Sequence, residues 1–253
     1  MIRIPQNTIP LDSNCRIVEI TDSGIVLIDK STNVMSHPNR KPSSSKVEKT
    51  LLKSKFCFEQ ECYLWINESG AEERLHLCHR LDSATSGLIV GCLDHDLAKV
   101  IRKKFANREI SKTYLAITSG FLAVKSGTWK DPLIEKRIQG KLRVQKGGNQ
   151  MAITKFRKIR STSGKMNLEL LELVPVTGKT HQLRVQCMFR KIPIVGDKTY
   201  GDFATNRKVQ KSTKIKRLCL HSAKINFETS YNGNSISVNA ESPIPRQMGR
   251  LLI

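Results

Sequence analysis

A compact polar cluster lies at His79-Arg80-Leu81-Asp82, where a single carboxylate stands among basic residues. Small residues follow it from Ser83 to Ser86, and Gly87 then opens the apolar run LIVG. A turn of small residues before a buried strand holds polar side chains at the end of a sheet, where they can face a cleft. Asp82 could therefore be a nucleophile or a general base. Taken alone, the stretch favours a turn tied by an Arg80–Asp82 ion pair, because Asp before Ser, Thr or Gly is ordinary turn chemistry.

A metal site is a weaker interpretation of the nearby histidines. His76 and His79 are three residues apart and His181 could join them in space, but the sequence shows no His-Glu-x-x-His pattern and no carboxylate at metal spacing. The seven cysteines are scattered without a Cys-x-x-Cys pair, so we expect reduced, structural thiols and no metal. A metal-dependent nuclease would need several clustered acids, and its activity would be sensitive to a chelator.

The charge of the chain indicates a polyanionic partner. Lysine and arginine number 43 against 22 aspartates and glutamates, which gives a net charge of +21. Such self-repulsion destabilises a compact state, and nucleic acid is the first partner that would explain it, with an acidic membrane surface second. The basic residues concentrate in two polar segments, 135–148 and 206–217, which lack a helical apolar stripe. We interpret both as solvated loops that follow a phosphate backbone.

Composition favours a soluble, globular protein of the cytoplasm that is not bound to a membrane. Apolar residues make up 39% of the chain and prolines number nine, which is typical of a folded domain. No apolar run approaches the roughly 20 residues that span a bilayer. The N-terminal residues contain neither the apolar stretch nor the cleavage site of a signal peptide.

Periodicity predicts an α+β protein with a mixed, mostly antiparallel sheet flanked by helices and loops. The predicted helices are 46–56, which places Val47, Leu51 and Leu52 on one face, 94–109, with Asp94 as its cap, and a segment after Thr180. The predicted strands are 16–20, 24–30, 113–120, 151–159, the segment that starts near 165, and the two arms of a hairpin at Asn232-Gly233. Because the strands outnumber the helices and neighbouring strands look antiparallel, an alternating βαβ fold is not favoured.

The segment HRLDSATSGLIV resembles the signature of the RluA family of RNA pseudouridine synthases, which runs His-Arg-Leu-Asp, two variable residues, Thr-Ser-Gly and an apolar strand. The resemblance continues in order over about residues 16–245, and six segments in the right order are far more specific than one motif. The further matching segments are IVLIDKSTNVMSHP (25–38), ISKTYLAITSG (110–120), NQMAITKF (149–156), TGKTHQLRVQCMFRKIPIVGDKTYG (177–201) and LCLHSAKINF (218–227).

The resemblance implies that the protein isomerises uridine to pseudouridine in structured RNA, without a cofactor or a metal. By this resemblance Asp82 is the catalytic aspartate, Tyr114 stacks on the flipped uracil and assists proton removal, and Arg184 forms the salt bridge that keeps Asp82 ionised. The base must leave the stack because its reacting atoms are unreachable inside a helix. Contacts to the substrate or the RNA are expected from His79, Arg80, Thr85, Lys112, Lys136, Arg137, Lys141, Arg143, His181, Gln182, Arg207, Lys208, Lys211 and Lys214.

Three positions depart from the family pattern without removing the expected catalytic residues. Ser31 stands where the family has proline, Gln186 replaces a histidine, and Ser222 replaces an alanine. Many relatives also begin with a small RNA-binding domain, for which the first predicted strand near residue 16 leaves no room. We therefore expect one catalytic domain over residues 1–253, with a central basic cleft and Asp82 at its floor.

Transfer RNA is slightly favoured over ribosomal RNA as the substrate of this expected monomer, because the additional RNA-binding domain is not expected. The main alternative is a catalytically silent RNA-binding or ribosome-assembly protein with the same fold and charge. The presence of Asp82, Tyr114 and Arg184 argues against it, since a protein that only binds RNA has no need of a carboxylate beside the phosphates.

Overall fold

The computed structural model describes residues 9–40, 48–162 and 166–253, and the chain forms two compact units. Unit 1 combines the chain up to Ile110 with Lys224–Ser242, and unit 2 comprises Ser111–Ala223 and Pro243–Ile253. The elements of the first segment of unit 1 are β1 (Arg16–Ile20), β2 (Ile25–Lys30), β3 (Lys55–Cys57), β4 (Cys62–Ile66), β5 (Glu72–Leu77), β6 (Ser86–Cys92) and α1 (His95–Ala106). They are followed by β7 (Ser111–Ser119), β8 (Ser126–Ile138), β9 (Lys141–Ser161), β10 (Leu168–Pro175), α2 (Gln182–Phe189), α3 (Phe203–Thr213), β11 (Leu220–Tyr231), β12 (Asn234–Glu241), α4 (Arg246–Gly249) and a 3-10 turn (Arg250–Leu252).

Strands β2 and β6 form the centre of unit 1. They pair antiparallel with Ile28 opposite Ile89, and β2 also pairs antiparallel with β1. Because successive side chains of a strand point to opposite faces, each strand contributes to two cores. The core on one face contains Ile25, Leu27, Leu88, Val90 and residues of α1, and the core on the other contains Val26, Ile28, Ile89, Tyr63 and Leu75. Burial on both faces explains why residues 88–92 of β6 are uniformly apolar.

Unit 2 is built on four antiparallel strands in the order β7, β10, β9, β8. Leu173 of β10 lies opposite Tyr114 of β7 and also opposite Phe156 of β9. A small core joins these strands to α2, and it contains Leu133, Val144, Ala152, Val185 and Tyr200. This packing fixes α2 and its arginine relative to the sheet of unit 2.

The predicted α+β class and most of the predicted elements are confirmed. The paired strands near the start of the chain, the helix capped by Asp94, the helix after Thr180 and the hairpin at Asn232-Gly233 are all present. The Asp94 carboxylate accepts a hydrogen bond from the Leu97 amide at 2.7 Å, as an N-terminal cap should. All seven cysteine thiols are free, as expected, and burial raises the pKa of Cys92 to about 12.

The helix predicted over 46–56 is wrong for its described part. Residues 46 and 47 lie outside the described residues, and the remainder forms irregular chain that leads into β3. Leu51 and Leu52 are both fully buried, and Leu52 forms an isolated bridge with Leu11. Two adjacent buried leucines fit a segment enclosed by neighbouring chain better than one face of a helix, and the sequence spacing did not distinguish these cases.

Both basic segments predicted to be loops have regular structure. The first forms the distal part of the β8–β9 hairpin, which turns at Gln139-Gly140 with both φ angles positive, at 49° and 72°. Most of the second lies in α3, which begins after its capping residue Asp202 and buries one residue, Val209. A hairpin that is largely exposed and a helix with one buried residue show no apolar periodicity, and this is why the sequence pattern missed them.

Because Ile101 is fully buried between α1 and the sheet of unit 1, Ile101→Ala should lower the free energy of unfolding by about 2–5 kcal/mol. The loss comes from the buried side chain and from the cavity that remains. Urea denaturation measures the change. Lys103→Ala, on the exposed face of the same helix, is the control and should shift stability by less than about 0.5 kcal/mol. Equal losses in the two variants would contradict the placement of the core.

Candidate active site

Asp82 is half-buried in a tight turn that leads directly into β6. The amide of Thr85 donates to the carbonyl oxygen of Asp82 at 3.0 Å, which closes the turn. The Ser36 hydroxyl donates to the carbonyl of Leu81 at 2.9 Å and accepts from the amide of the same residue at 3.0 Å. One buried serine thus satisfies both backbone groups of the residue before Asp82. The turn is therefore held from the side of the 31–37 segment.

Lys30 anchors the same turn from inside the protein. Its side chain is completely buried, and its ammonium group donates to the carbonyl oxygens of Ser31, Val34 and Ser83 at 3.0, 2.7 and 3.2 Å. A buried ammonium group is strongly destabilising unless polar groups surround it, so these carbonyls must keep their positions. Lys30 thereby links the end of β2 to the residue that follows Asp82.

The other predicted residues of this turn differ in exposure. Arg80 is exposed, and its Nη1 lies 3.1 Å from Nε2 of His37. His79 accepts a hydrogen bond at Nε2 from the Val90 amide at 3.0 Å, and its ring packs on Phe105. Thr85 is buried, at 3% exposure. Arg80 is thus well placed to meet a ligand, whereas His79 and Thr85 support the turn.

Strand β7 of unit 2 carries Lys112 and Tyr114 on half-buried positions of the same face, two residues apart. Burial lowers the pKa of Lys112 below its usual value. A Cβ atom at Gly178 would lie 3.9 Å from the Lys112 ammonium group, so this group is next to the loop that precedes α2. The strand therefore presents a lysine and a tyrosine beside the segment that the family resemblance marked.

Arg184 forms a buried, bidentate ion pair with Asp197. Its Nε donates to Oδ2 of Asp197 at 2.8 Å and its Nη2 to Oδ1 at 2.9 Å, with side-chain exposures of 8% and 0%. Burial acts to raise the pKa of Asp197, but the hydrogen bond and charge of Arg184, together with the amides of Tyr200 and Thr199, outweigh it and hold the pKa below its usual value. Asp197 therefore stays ionised and fixes the orientation of the guanidinium group.

The loop around Asp197 depends on two glycines. Gly196 has φ +77°, and a Cβ atom there would lie 1.8 Å from the carbonyl oxygen of Arg217. A Cβ atom at Gly201 would lie 2.1 Å from the carbonyl oxygen of Asp197 itself. Both distances are far below van der Waals contact, so only glycine allows this close approach of the backbone. The Gly-Asp-x-x-Tyr-Gly pattern is thus explained by the geometry that holds Asp197.

Tyr200 connects the Arg184 pair to the basic hairpin. The Arg184 guanidinium lies 5.2 Å from the centre of the Tyr200 ring. The Tyr200 hydroxyl accepts from the Val144 amide on β9 at 2.9 Å and shares a hydrogen bond with Nδ1 of His181 at 2.9 Å. His181 precedes α2 with φ +53°, an uncommon conformation for a residue with a side chain. Local strain of this kind is typical of functional segments.

Gln182 and Gln186 attach α2 to β9 through a buried polar network. The Gln182 amide donates to Thr154 Oγ1 at 2.9 Å and its oxygen accepts from the Thr177 hydroxyl at 2.8 Å. Gln186 accepts from the Thr154 hydroxyl at 2.6 Å and donates to Asp131 at 2.8 Å. These contacts favour a structural role for Gln182, and the predicted contact of Gln182 with RNA stays a prediction. Gln186, which departs from the family histidine, is integrated into the same network.

The basic residues predicted to bind RNA lie on two surfaces of unit 2. Lys136 and Arg137 are exposed on β8, and Lys136 lies opposite the half-buried Arg143 of β9. The side chain of Lys141 lies outside the described part of the structure. On α3 the side chains of Arg207, Lys208 and Lys211, and of Lys214 at its end, are exposed. Each surface therefore presents several cations to solvent.

The structure brings together subsets of the predicted residues within each unit. Unit 1 holds Asp82 with His79, Arg80 and Thr85, and unit 2 holds Tyr114 with Lys112, Arg184 and the remaining predicted contacts. The ion pair between Arg184 and Asp82 stays a prediction, as does the central basic cleft. Within 9–40, 48–162 and 166–253, no cluster of three His, Cys, Asp or Glu side chains is arranged to hold a metal ion.

Three supporting residues were not identified as functional from the sequence. Lys30 and Ser36 looked like ordinary residues at the end of a strand and in a loop, and nothing in their spacing linked them to Asp82. Asp197 was part of a family motif, but its partner could not be inferred. The available signal was the Gly-Asp-x-x-Tyr-Gly pattern, since two glycines close to one acid indicate a constrained backbone.

Comparison with known proteins identifies the family. Residues 24–188 match the model of the RNA pseudouridylate synthase family. The chain is 34% identical over 172 residues to tRNA pseudouridine synthase C of Vibrio cholerae, covering 64% of this chain and 70% of that protein. It is 30% identical over 224 residues to the dual-specificity RNA pseudouridine synthase RluA of Haemophilus influenzae, covering 87% of this chain and 90% of the relative.

A solved structure agrees with these matches. Human RNA pseudouridylate synthase domain containing 4 superimposes with a TM-score of 0.63 and 25% identity, covering 92% of this chain and 90% of that chain. The chain therefore belongs to the RluA-type RNA pseudouridine synthases. It is an isomerase that converts uridine to pseudouridine in RNA. Among the described residues, no helix has the length and apolar character needed to cross a membrane.

The Arg184–Asp197 pair makes a pH-dependent prediction. Because the native pKa of Asp197 is lowered, its stabilising contribution is present above the unfolded-state pKa near 3.8 and is lost as pH falls through the lower native value. Asp197→Asn should lower the free energy of unfolding by about 3 kcal/mol at pH 7. The difference from the unsubstituted protein should shrink below pH 3.8, as measured by urea denaturation across the acid range.

The exposed pair of Arg157 with Glu172 is a suitable control, because it is also bidentate but its arginine is 61% exposed. Glu172→Gln should cost less than about 1 kcal/mol. If the loss in free energy of unfolding caused by Asp197→Asn stays the same from neutral to strongly acid pH, the loss does not come from the ionised pair.

Proposed function

We propose that Asp82 is the catalytic residue for pseudouridine formation, acting on a uridine that is flipped out of a structured RNA. The observation that carries the proposal is the firmly held backbone of the turn from which this carboxylate projects. The turn that contains Asp82 is held by the buried ammonium group of Lys30 and by the hydroxyl of Ser36, and Asp82 as a residue is half-buried. A reacting group needs such support from residues whose own positions are locked.

The reaction rearranges uridine without net gain or loss of atoms. The N1–C1′ glycosidic bond breaks, the base turns over, and a C5–C1′ bond forms. The proton on C5 is then removed and N1 gains one, so neither an oxidant nor a hydrolytic water is required. One carboxylate suffices as the nucleophile, at the sugar or at the base. The enzyme must reach C1′ and both edges of the uracil, which requires base flipping.

Tyr114 and Arg184 have distinct parts in this proposal. Tyr114, half-buried on β7, stacks on the flipped uracil and assists removal of the C5 proton. Arg184 supplies the positive charge that keeps Asp82 ionised. A guanidinium group has five N–H donors, and the pair with Asp197 involves Nε and Nη2. Bidentate binding of Asp197 is therefore compatible with a second carboxylate partner.

Transfer RNA is the proposed substrate, ahead of ribosomal RNA. The name of the Vibrio cholerae relative specifies transfer RNA, and the Haemophilus influenzae relative is named for dual specificity. The exposed cations of the β8–β9 hairpin and of α3 are suited to the phosphates of a folded RNA. A single catalytic domain over residues 1–253, a monomeric state and a cytoplasmic location stay predictions.

Asp82→Asn should abolish pseudouridine formation while RNA affinity changes by less than about tenfold, because the amide keeps the shape of the side chain but cannot act as a nucleophile. The assay is pseudouridine mapping in transfer and ribosomal RNA incubated with each protein. Asp96→Asn, at an exposed position of α1, is the control and should retain full activity. An Asp82→Asn protein that modifies RNA at the normal rate would show that Asp82 is not the catalytic residue.

Replacing Lys136 and Arg137 together by glutamine should weaken RNA binding and reduce the slope of log affinity against log salt by about 1.5, because each phosphate contact contributes about 0.7–0.9. Filter binding at several salt concentrations measures the slope. The double variant Lys99→Gln and Lys103→Gln removes the same charge from exposed positions on α1 and should leave the slope nearly unchanged. Equal slopes for the two double variants would show that the hairpin makes no local phosphate contacts.

A further inference from the structure

Three aromatic rings of unit 1 form a half-buried cluster that consists of His37, Phe56 and Phe58. The His37 ring stacks on Phe56 with centroids 5.2 Å apart and an interplanar angle of 18°. Phe58 packs edge-on against Phe56 at 5.1 Å and against His37 at 6.1 Å. All three side chains are partly accessible to solvent. We refer to them as the ring cluster.

Core packing accounts for only part of the ring cluster. The ring centroids of Phe56 and the buried Tyr63 are 4.9 Å apart, and Phe56 packs against the core to which Tyr63 belongs. Phe58 and His37, by contrast, are not among the described residues of that core. Phe58 lies outside this core and keeps part of its surface open to solvent, so that part of the ring can make a further contact.

Two arginines border the ring cluster. The Arg40 guanidinium lies 5.2 Å from the centre of the Phe58 ring, and the Nη1 atom of Arg80 lies 3.1 Å from Nε2 of His37. Both arginines are exposed, as is Lys55 beside Phe56 in β3. The nearby acid Glu59 is exposed as well, and the charge of Arg40 helps to lower its pKa after the hydrogen bonds from its own backbone and from Cys57. Aromatic rings bordered by arginines are the usual composition of a site for unpaired nucleotides.

The ring cluster and the turn of Asp82 share one support. Ser36, next to His37, binds the amide and carbonyl of Leu81 through its side chain. The Tyr63 hydroxyl donates to the carbonyl oxygen of Ser36 at 2.9 Å, so the ring that touches Phe56 also holds this residue. Hydrogen bonds and ring packing therefore connect the ring cluster to the turn that carries Asp82, within the same unit.

We propose that the ring cluster is a stacking site for an unpaired RNA base that neighbours the target uridine, with Arg40 and Arg80 contacting the adjacent phosphates. The inference rests on the proposed function and deepens it, because it identifies which kind of RNA the site accepts. Flipping a uridine out of a loop breaks its stacking on the neighbouring base. An aromatic surface connected to the turn of Asp82 through His37 and Ser36 offers that neighbouring base a new stacking partner. The site thus selects uridines that have an unpaired neighbour over uridines within a continuous duplex.

The test uses the full-length protein and a short single-stranded oligoribonucleotide that carries 2-aminopurine, whose fluorescence is quenched when it stacks. Phe58→Leu should weaken binding about tenfold and remove most of the quenching, because one base–aromatic stack is lost while an apolar side chain remains. Phe58→Tyr keeps the ring and should bind and quench like the unsubstituted protein. A short RNA duplex should bind all three proteins equally.

Phe121→Leu is the matched control in unit 2. Phe121 is 75% exposed and also has a cation over its ring, since Nζ of Lys158 lies 4.9 Å from the ring centre. Its removal should leave affinity and quenching unchanged, and thermal unfolding establishes that every variant is folded. The proposal is overturned if Phe58→Leu still quenches 2-aminopurine like the unsubstituted protein. It is also overturned if folded Phe58→Tyr loses as much affinity and quenching as Phe58→Leu, or if Phe121→Leu loses as much as Phe58→Leu.

Binding and chemistry are measured separately, so the two proposals can fail separately. Asp82→Asn should still quench 2-aminopurine through Phe58, since stacking does not need the carboxylate. If quenching depends on Phe58 but Asp82→Asn forms pseudouridine at the normal rate, the stacking site stands and the proposed role of Asp82 fails. If Phe58→Leu binds and modifies RNA normally, the proposed function stands and the stacking site fails.

Discussion

The buried ammonium group of Lys30 is the interaction on which the turn of Asp82 depends. A positive charge without any exposure to water requires close polar groups, and three backbone carbonyls provide them. Since one carbonyl belongs to Ser83, the end of β2 and the turn before β6 cannot move apart without exposing this charge to an apolar interior. The pairing of β2 with β6 adds a second connection between the same segments. The backbone position of Asp82 is thus set by contacts of its neighbours in the turn.

In unit 2 the side chain of Arg184 is held by an ion pair instead. Arg184 is held by a carboxylate that is itself fixed by two backbone amides and by a loop in which only glycine fits at Gly196. Tyr200 extends this arrangement to His181 and to the basic hairpin. An arginine oriented in this way loses little conformational freedom when it meets another anion. The polar network through Gln186 secures α2, so the family histidine is replaced without leaving a buried group unsatisfied.

The secondary structure could be predicted where one face of an element is apolar at regular intervals. Helix α1 buries Leu97 and Ile101, and its capping residue was evident from the sequence. The distal part of the β8–β9 hairpin, residues 135–148, and α3 were missed because they are mostly exposed, so no periodic apolar pattern marks them. For the adjacent leucines 51 and 52 a helix was predicted where none is present. Their burial comes from contacts with other segments, such as the bridge between Leu52 and Leu11.

The sequence alone determined the reaction class and the identity of its expected carboxylate, because residue types in a fixed order define the family motif around Asp82. The sequence also indicated an anionic partner, because the net charge of the chain follows from its composition alone. Only the tertiary structure decided which residues hold the turn that carries Asp82 and which side chains lie next to Arg80 in that turn. Arg80 and His37 are 43 residues apart in the chain, and Lys30 meets Ser83 across 53 residues. Such contacts depend on strand pairing and turn geometry, which bring distant segments together without leaving a local sequence pattern.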